Sequence, residues 1–119
     1  MDVSQLDRAT EITMRTKRND GSWSSRPIWI VVVDNEPYVR SAFGNSGMWY
    51  RKVRAGAPAE IAVDGQTLPV SLEAVHDKAL NQQVSDAYRA KYGPSEPAST
   101  EDMLEGEVTT TTMRVAVPG

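Results

Sequence analysis

Short segments of alternating polar and apolar residues, separated by turn-forming residues, constrain this chain more than any other feature. Side chains of a β-strand alternate between its two faces, so such a segment indicates a half-buried strand. Residues 11–18 alternate in this way and are followed by Asn19-Asp20-Gly21, a turn. Residues 60–63 and 67–75 flank Asp64-Gly65, a pair typical of a two-residue β-hairpin. The chain is therefore predicted to form mainly short antiparallel strands.

Three further segments complete the predicted strands. The run SRPIWIVVVD begins at Ser25 and is rich in β-branched residues, which predicts a strand buried on both faces. Asp34-Asn35-Glu36-Pro37 turns this strand back onto a partner at residues 38–42. Residues 109–117 alternate again and are predicted to form the C-terminal strand. The sequence thus predicts six strands.

One main helix is predicted between the fifth and sixth strands. Asp77 is a good N-cap, the apolar stripe after it includes Leu80 and Val84, and Gly93 follows the last helical residue, Tyr92. Residues 94–100 are expected to be a loop, residues 101–106 a short acidic turn or helix, and WYRKVR at 49–54 one or two helical turns. The acids in residues 101–107 are interpreted as a solvated face. Because unpaired strand edges must be hidden, we expect a small barrel with an attached helix.

Composition excludes many kinds of chemistry. A chain of 119 residues predicts one domain, residues 1–119. Without Cys and with one His, His76, it offers no disulfide, thiolate nucleophile or ordinary zinc site, so we predict no metal. The glycines fit neither common phosphate-loop motif. No apolar run is long enough to span a bilayer or act as a secretion signal, so we expect a cytoplasmic protein without a membrane partner.

The charges are unevenly distributed along the chain. Residues 1–54 hold nine of the 13 Lys and Arg residues against six acids, whereas residues 55–119 hold four against ten. The first half is therefore where an anion would bind, although solvated surfaces explain such asymmetry equally well. The acidic pI, about 5.1, argues against a nucleic-acid partner. The apolar run 28–33 exceeds what one small core needs, which predicts a homodimer.

The motifs in this order resemble a known bacterial family. The run TKRNDGSWSSRPIWIVVVDNEPYVRSAFGNSGMWYRKV, followed by an Asp-Gly hairpin and a helix reading DAYRAKYG, is similar to domain of unknown function 2255. More distantly it resembles the split β-barrel flavin and deazaflavin oxidoreductases related to pyridoxamine 5′-phosphate oxidase. The resemblance spans about residues 10–117. It implies a mainly β (α+β) fold, a six-stranded antiparallel split β-barrel with one main helix between strands five and six.

The resemblance also implies a dimer with FMN or a deazaflavin in a groove between the protomers. The strand that contains Arg26 and Trp29 would face the isoalloxazine ring, and the end of the next strand would hold the cofactor phosphate. Members of the unknown-function family need not bind any cofactor. The implied cofactor-binding residues are Arg26, Ile28, Trp29, Arg40, Ser41, Trp49, Tyr50, Arg51 and Lys52.

Several of these residues also have ordinary structural interpretations. Arg40 is expected either to bind a phosphate or to pair with a surface acid. Trp29 and Trp49 either stack on a ring or belong to the core. Tyr88 and Tyr92 lie one helical turn apart, and the resembling deazaflavin enzymes use helix tyrosines as proton donors, which makes this pair the candidate catalytic residues. The alternative is packing, with each hydroxyl at the surface.

Three functions remain open on this evidence. The first is a flavin- or deazaflavin-dependent oxidoreductase acting on a small organic molecule. The second is a cofactor-free cyclase or isomerase that binds an apolar small molecule in the groove and uses tyrosine or carboxylate acid–base chemistry. The third is a non-catalytic module that binds a small ligand. Since His76 precedes the capping Asp77, a catalytic triad there is not expected.

Overall fold

Seven strands and five helices make up the computed structural model, which describes residues 2–117. The strands are β1 (Ile12–Lys17), β2 (Trp23–Ile28), β3 (Val31–Val33), β4 (Glu36–Val39), β5 (Ala59–Val63), β6 (Gln66–Ala74) and β7 (Met113–Ala116). The helices are α1 (Val3–Arg8), α2 (Met48–Arg54), α3 (Lys78–Tyr92), α4 (Pro97–Met103) and α5 (Gly106–Thr109). A short 3-10 turn at Gly44–Ser46 precedes α2.

The sheet curls into a split barrel because β2 and β3, which follow each other in the sequence, lie at its opposite edges. All pairs are antiparallel, and the strand order is β2-β1-β5-β6-β7-β4-β3. β2 and β3 are the two edge strands, yet only Trp29 and Ile30 separate them. From Ile28 to Val31 the backbone spans at most about 11 Å, so the two edges must lie close together. The predicted split-barrel class is confirmed.

The strand count is seven because the apolar run starting at Ser25 forms two strands. β2 pairs with β1 through Ile28, and β3 pairs with β4 through Val31, so the backbone leaves one edge of the sheet and joins the other between them. The polar groups of Ile30 at this break are satisfied by α3. Its N–H donates to the Tyr92 hydroxyl (3.2 Å), and its carbonyl accepts from Lys91 Nζ (2.7 Å). The break thus leaves no buried backbone group of Ile30 unpaired.

The turn and capping predictions agree with the backbone. Asp64 and Gly65 have φ values of 50° and 78°, the left-handed pair that a two-residue hairpin requires. Asp77 accepts a hydrogen bond from the Leu80 N–H (3.0 Å) at the start of α3. Val84 is fully buried and Leu80 partly buried on the inner face of that helix. Asp64-Gly65 therefore fixes the β5–β6 register, and Asp77 fixes the start of α3.

Two groups of buried side chains hold the elements together. One fills the barrel and includes Ile12, Met14, Ile30, Val39, Ile61 and Val115. The other packs α3 and α4 against β3 and β4 and includes Val31, Tyr38, Val84, Tyr88, Tyr92 and Met103. Ile30 and Val31 of the apolar run are buried within the protomer, whereas residues 28, 29, 32 and 33 are partly exposed. The homodimer expected from this run stays a prediction.

The region between β6 and β7 is more helical than the sequence predicts. Residues 97–100, expected in a loop, begin α4, with Pro97 at its first position. Residues 109–112, expected in the last strand, lie in α5 and the turn after it, so that β7 is only four residues long. In residues 2–117 no helix has the length and apolar character needed to cross a membrane.

Candidate functional site

An open groove of about 610 Å³ lies where the end of β2 meets the 42–47 turn, the start of α2 and the end of α4. Its walls include Trp29, Trp49, Phe43 and Met48, and we call it the aromatic groove. The other lining residues are Glu11, Arg26, Pro27, Ile28, Arg40, Ala42, Ser46, Gly47, Ser99, Asp102 and Met103. Its size is in the range of small-molecule sites, about 300–1,000 Å³.

The tryptophan walls are held firmly in place. The Trp29 ring stacks on Tyr92 with 4.0 Å between centroids and an interplanar angle of 3°. Trp49 is nearly buried and meets the Tyr50 ring edge-on. Because each ring packs against a neighbouring aromatic, its position is set without a ligand. The groove is therefore preorganised for a flat, apolar group.

The turn at 42–47 brings Phe43 and Met48 to the mouth of this groove. The Ser41 hydroxyl donates to the Gly44 carbonyl (2.8 Å), and a Cβ at Gly47 would collide with the Ser41 side chain. Gly44 has a φ of 61°, which favours glycine. Phe43 is 81% exposed and Met48 55%, and both line this groove, so they place exposed apolar surface at one site. Ser41 is therefore buried beneath the turn and does not line the groove.

Arg40 is one of the residues that line the groove, yet it is only 1% exposed. Its guanidinium donates to Thr112 Oγ1 (2.8 Å), the Met103 carbonyl (3.0 Å), and the Asn81 carbonyl and Oδ1 (2.9 and 2.7 Å). It also lies 5.3 Å from the centre of the Tyr88 ring. Burial lowers the pKa of Arg40. These partners are neutral, so the expected pairing with a surface acid is wrong, and a cofactor phosphate would have to compete with four existing hydrogen bonds.

Neither candidate catalytic tyrosine reaches the aromatic groove. The Tyr92 hydroxyl donates to the Thr10 carbonyl (2.7 Å) and accepts from Ile30, and burial raises its pKa to about 12. The Tyr88 side chain is fully buried, and its hydroxyl has no hydrogen-bond partner among residues 2–117. Burial raises the pKa of Tyr88 strongly, and the nearby Arg40 charge opposes this only in part. Both phenol hydroxyls lie inside the protein. The packing alternative, which placed each hydroxyl at the surface, is therefore wrong on that point.

A second groove, of about 720 Å³, shares Met48 with the first. We call it the basic groove because four of its lining residues are cationic: Lys17, Arg18, Arg51 and Lys52. The other lining residues are Asn19, Met48, Ala55, Gly56, Ala57 and Pro58. Its floor is the end of α2, where the N–H of Ala57 bonds to the Lys52 carbonyl (3.0 Å) and that of Gly56 to the Val53 carbonyl (2.9 Å). This is a Schellman motif, and Gly56 has the positive φ, 95°, that it needs.

The structure divides the predicted cofactor residues into three sets. The first set lines the aromatic groove: Arg26, Ile28, Trp29, Arg40 and Trp49. Arg51 and Lys52 line the basic groove, and Ser41 and Tyr50 line neither. Tyr50 is buried, and its hydroxyl accepts from Arg54 (3.1 Å).

Sequence reasoning missed several residues that line the grooves. Lys17 ends β1 and Arg18 follows it, whereas Arg51 lies in α2, and the excess positive charge of residues 1–54 was the only signal for the first two. Phe43 and Asp102 had no signal in the sequence. No cluster of three or more His, Asp or Glu side chains suited to a metal ion occurs within the described part of the chain.

Solved structures of similar shape show which fold this chain shares. An FAD and heme binding protein from Mycobacterium smegmatis has a TM-score of 0.64 at 18% identity, covering 98% of this chain and 64% of that one. An F420-H2 dependent reductase has a TM-score of 0.61 at 12% identity, covering 90% and 93%. A conserved hypothetical protein from Mycobacterium tuberculosis has a TM-score of 0.68 at 12% identity, covering 98% and 77%. These similarities show that the chain shares the split-barrel fold with flavin- and deazaflavin-binding proteins.

The chain belongs to the family DUF2255, described as an uncharacterized protein conserved in bacteria, whose profile matches residues 2–115. The resemblance inferred from the sequence motifs is therefore confirmed. The sequence matches none of the curated proteins with which it was compared.

Proposed function

We propose that this protein is an oxidoreductase that binds a flavin-type cofactor, FMN or a deazaflavin, and acts on a small organic molecule. The observation that carries the proposal is the aromatic groove, in which five of the nine cofactor residues implied by the family resemblance come together beside an edge strand. The similar structures named for FAD or F420-H2 support it at the level of the fold.

The groove residues fit an isoalloxazine ring. Trp29, Trp49 and Met48 offer apolar surface to the ring faces. β2 is an edge strand, so within residues 2–117 one row of its backbone N–H and C=O groups has no strand partner and is available to the polar edge of the ring. The Arg26 side chain is exposed at the same groove and forms no ion pair with the described residues. It would hold a ring carbonyl or a phosphate oxygen.

When bound, such a cofactor supplies hydride transfer, which the protein's own side chains cannot perform. The chain binds and orients the ring, and its apolar walls exclude water from one side. Glu11 and Asp102 are the carboxyl groups that line the groove, so proton exchange with a substrate falls to them or to solvent. Tyr88 and Tyr92 instead support the groove from behind, Tyr92 through its stacking on Trp29.

We also propose that the protein is a homodimer formed through the surface around Phe43 and Met48. Both side chains are largely exposed at the mouth of the aromatic groove, where a second copy would cover them and close the groove. Phe43→Ser is expected to shift the protein towards monomer in sedimentation equilibrium and to leave the circular dichroism spectrum unchanged, since the side chain is exposed within the protomer. The melting temperature should fall only as far as the loss of association requires. A wild-type protein that sediments as a monomer at micromolar concentration would remove this proposal.

Cofactor titration tests the oxidoreductase proposal directly. FMN and a deazaflavin are titrated into protein purified without either, and the ring absorbance and fluorescence are followed. Arg26→Gln should weaken binding about tenfold, the loss of roughly one hydrogen bond to a charged group, with an unchanged melting temperature. Arg89→Gln on the exposed face of α3 is the matched control and should bind as wild type does. Failure of wild type to bind either cofactor at about 100 μM, roughly −5.5 kcal/mol, would refute the proposal.

A cofactor-free cyclase or isomerase is the second candidate. The placement of Glu11 and Asp102 at one apolar groove favours it, because a carboxyl group can accept or donate the proton that such a reaction transfers. It predicts that wild type binds apolar small molecules in the groove but neither cofactor, so the same titration separates the two functions.

A further inference from the structure

The backbone at the closure of the barrel is held by side chains instead of by strand pairing. Trp29 and Ile30 lie between β2 and β3, and within residues 2–117 neither residue has a strand partner. The Ile30 carbonyl accepts a hydrogen bond from Lys91 Nζ (2.7 Å), and the Ile30 N–H donates to the Tyr92 hydroxyl (3.2 Å). Two consecutive residues at the end of α3 therefore fix the segment that carries Trp29.

Lys91 also joins this segment to α1. Its ammonium donates to the Leu6 carbonyl (3.2 Å) as well as to that of Ile30, so one side chain bonds to two separate parts of the chain. Lys91 is half-buried, and this burial lowers its pKa, although the Asp7 charge opposes the shift in part. A lysine that served only for solubility would keep its ammonium in water, because removing a charge from water costs free energy. The two carbonyls therefore explain the position of the Lys91 ammonium.

Trp29 connects this arrangement to the aromatic groove. Its ring stacks on Tyr92 and also lines the groove, so a ligand that contacts Trp29 meets a ring whose tilt is already set. A planar peptide bond joins Trp29 to Ile30, so a displacement of the Ile30 backbone moves Trp29 as well. Because the attraction between flat rings depends on their offset and tilt, such a displacement changes how well Trp29 stacks on a ligand.

We infer that Lys91 is a positioning residue, which places the Trp29 wall for the cofactor ring by holding the Ile30 carbonyl. This inference rests on the proposed function. Lys91 is not one of the described residues that line the groove, so it acts on the ring through Ile30 and Trp29. The Tyr92 hydroxyl acts in the same way through the Ile30 N–H.

A double-mutant cycle with the isolated ring tests this inference. Riboflavin and the corresponding deazariboflavin, which carry no phosphate, are titrated into wild type, Lys91→Gln, Trp29→Leu and the double variant. We expect Lys91→Gln to weaken binding of the ring about fivefold to tenfold, and to have no further effect in the Trp29→Leu background. Lys91→Arg, whose planar fork can donate to two carbonyls, should restore most of the affinity. Lys78→Gln, an exposed lysine in the first turn of α3, is the matched control and should bind as wild type does.

Tyr92→Phe is the second variant in this cycle, in case Lys91→Gln does not fold. It keeps the ring that stacks on Trp29 but releases the Ile30 N–H, so its effect on ring affinity should also disappear in the Trp29→Leu background. Near-UV circular dichroism of the unliganded protein gives an independent readout. The signal that Trp29→Leu removes should weaken in Lys91→Gln and remain in Lys78→Gln.

A purely structural role for Lys91 predicts a different pattern. Lys91→Gln would then lower the melting temperature, and ring affinity would fall by the same factor with and without Trp29, which would overturn the inference. Unchanged ring affinity in Lys91→Gln, or an unchanged Trp29 dichroism signal, would refute it as well and leave the proposed function standing. If wild type binds neither ring, the proposed function itself fails and this inference fails with it.

Discussion

Replacement of Arg40 by alanine is expected to lower stability by about 3–5 kcal/mol. Arg40 bonds to three separate places: the end of α4 through the Met103 carbonyl, the first half of α3 through Asn81, and the turn before β7 through Thr112. Hydrogen bonds to a charged group contribute about 1.5–3 kcal/mol each, net of exchange with water. We take the lower value for three sites, because Thr112 Oγ1 and Asn81 Oδ1 keep a bond to each other (2.7 Å) after the change.

The substitution also removes the buried charge of Arg40, which has no ionic partner, and this change by itself raises stability. The expected loss therefore does not exceed this range. At about 4 °C per kcal/mol for a domain of this size, the melting temperature should fall by roughly 12–20 °C. Arg40→Lys should also destabilise, since one ammonium cannot reach all three sites. Arg89→Ala, an exposed arginine in an ion pair with Asp86, is the control and should cost at most about 0.5 kcal/mol. An Arg40→Ala protein that melts with wild type but binds FMN more weakly would refute this reasoning and return Arg40 to the phosphate role.

Three further predictions follow from α3 and α2. Tyr88→Phe should raise stability by about 1 kcal/mol, because it removes a buried hydroxyl without a partner, whereas Tyr92→Phe should lower it by about 1–3 kcal/mol; equal melting temperatures would contradict both. Since burial raises the pKa of Tyr92 to about 12, its contribution to stability is complete below pH 10 and is lost as the pH rises from 10 to about 12. Urea unfolding of wild type should weaken more over that interval than that of Tyr92→Phe. Gly56→Ala should cost about 1–2 kcal/mol through its positive φ, and a smaller loss in thermal unfolding would show that the α2 C-cap relaxes.

Local signals in the sequence were sufficient for the hairpins and the main helix. Asp64-Gly65 and Asp77 act on residues within a few positions of themselves, so a short stretch of sequence is enough to predict their effects. The break at Trp29 and Ile30 was not predictable in this way. The β-branched run continues through it, and only the closure of the sheet, together with Lys91 and Tyr92 some 60 residues later, makes a break favourable there.

The candidate site was predictable in composition but less so in geometry. The family resemblance assigned Arg26, Trp29 and Trp49 to the cofactor site, and the structure places all three at one groove. Their role in binding a cofactor stays a prediction. The burial of Arg40 depends on carbonyl and hydroxyl acceptors 41 to 72 positions away, and no local pattern reports such acceptors. Lys17 lies at the basic groove because β1 pairs with β5. This pairing joins residues far apart in the sequence, so no local pattern predicts it either.

β7 follows every other strand in sequence yet lies in the interior of the sheet, between β6 and β4. Until residues 113–116 have been synthesised, the remaining strands can form only two separate sheets, β2-β1-β5-β6 and β4-β3, each with a bare edge that β7 will later cover. During translation those edges are exposed to pairing with other nascent chains. Barrel closure therefore has to wait for residues 113–116, and a chain that stops before residue 113 is expected to be prone to aggregation through these two edges.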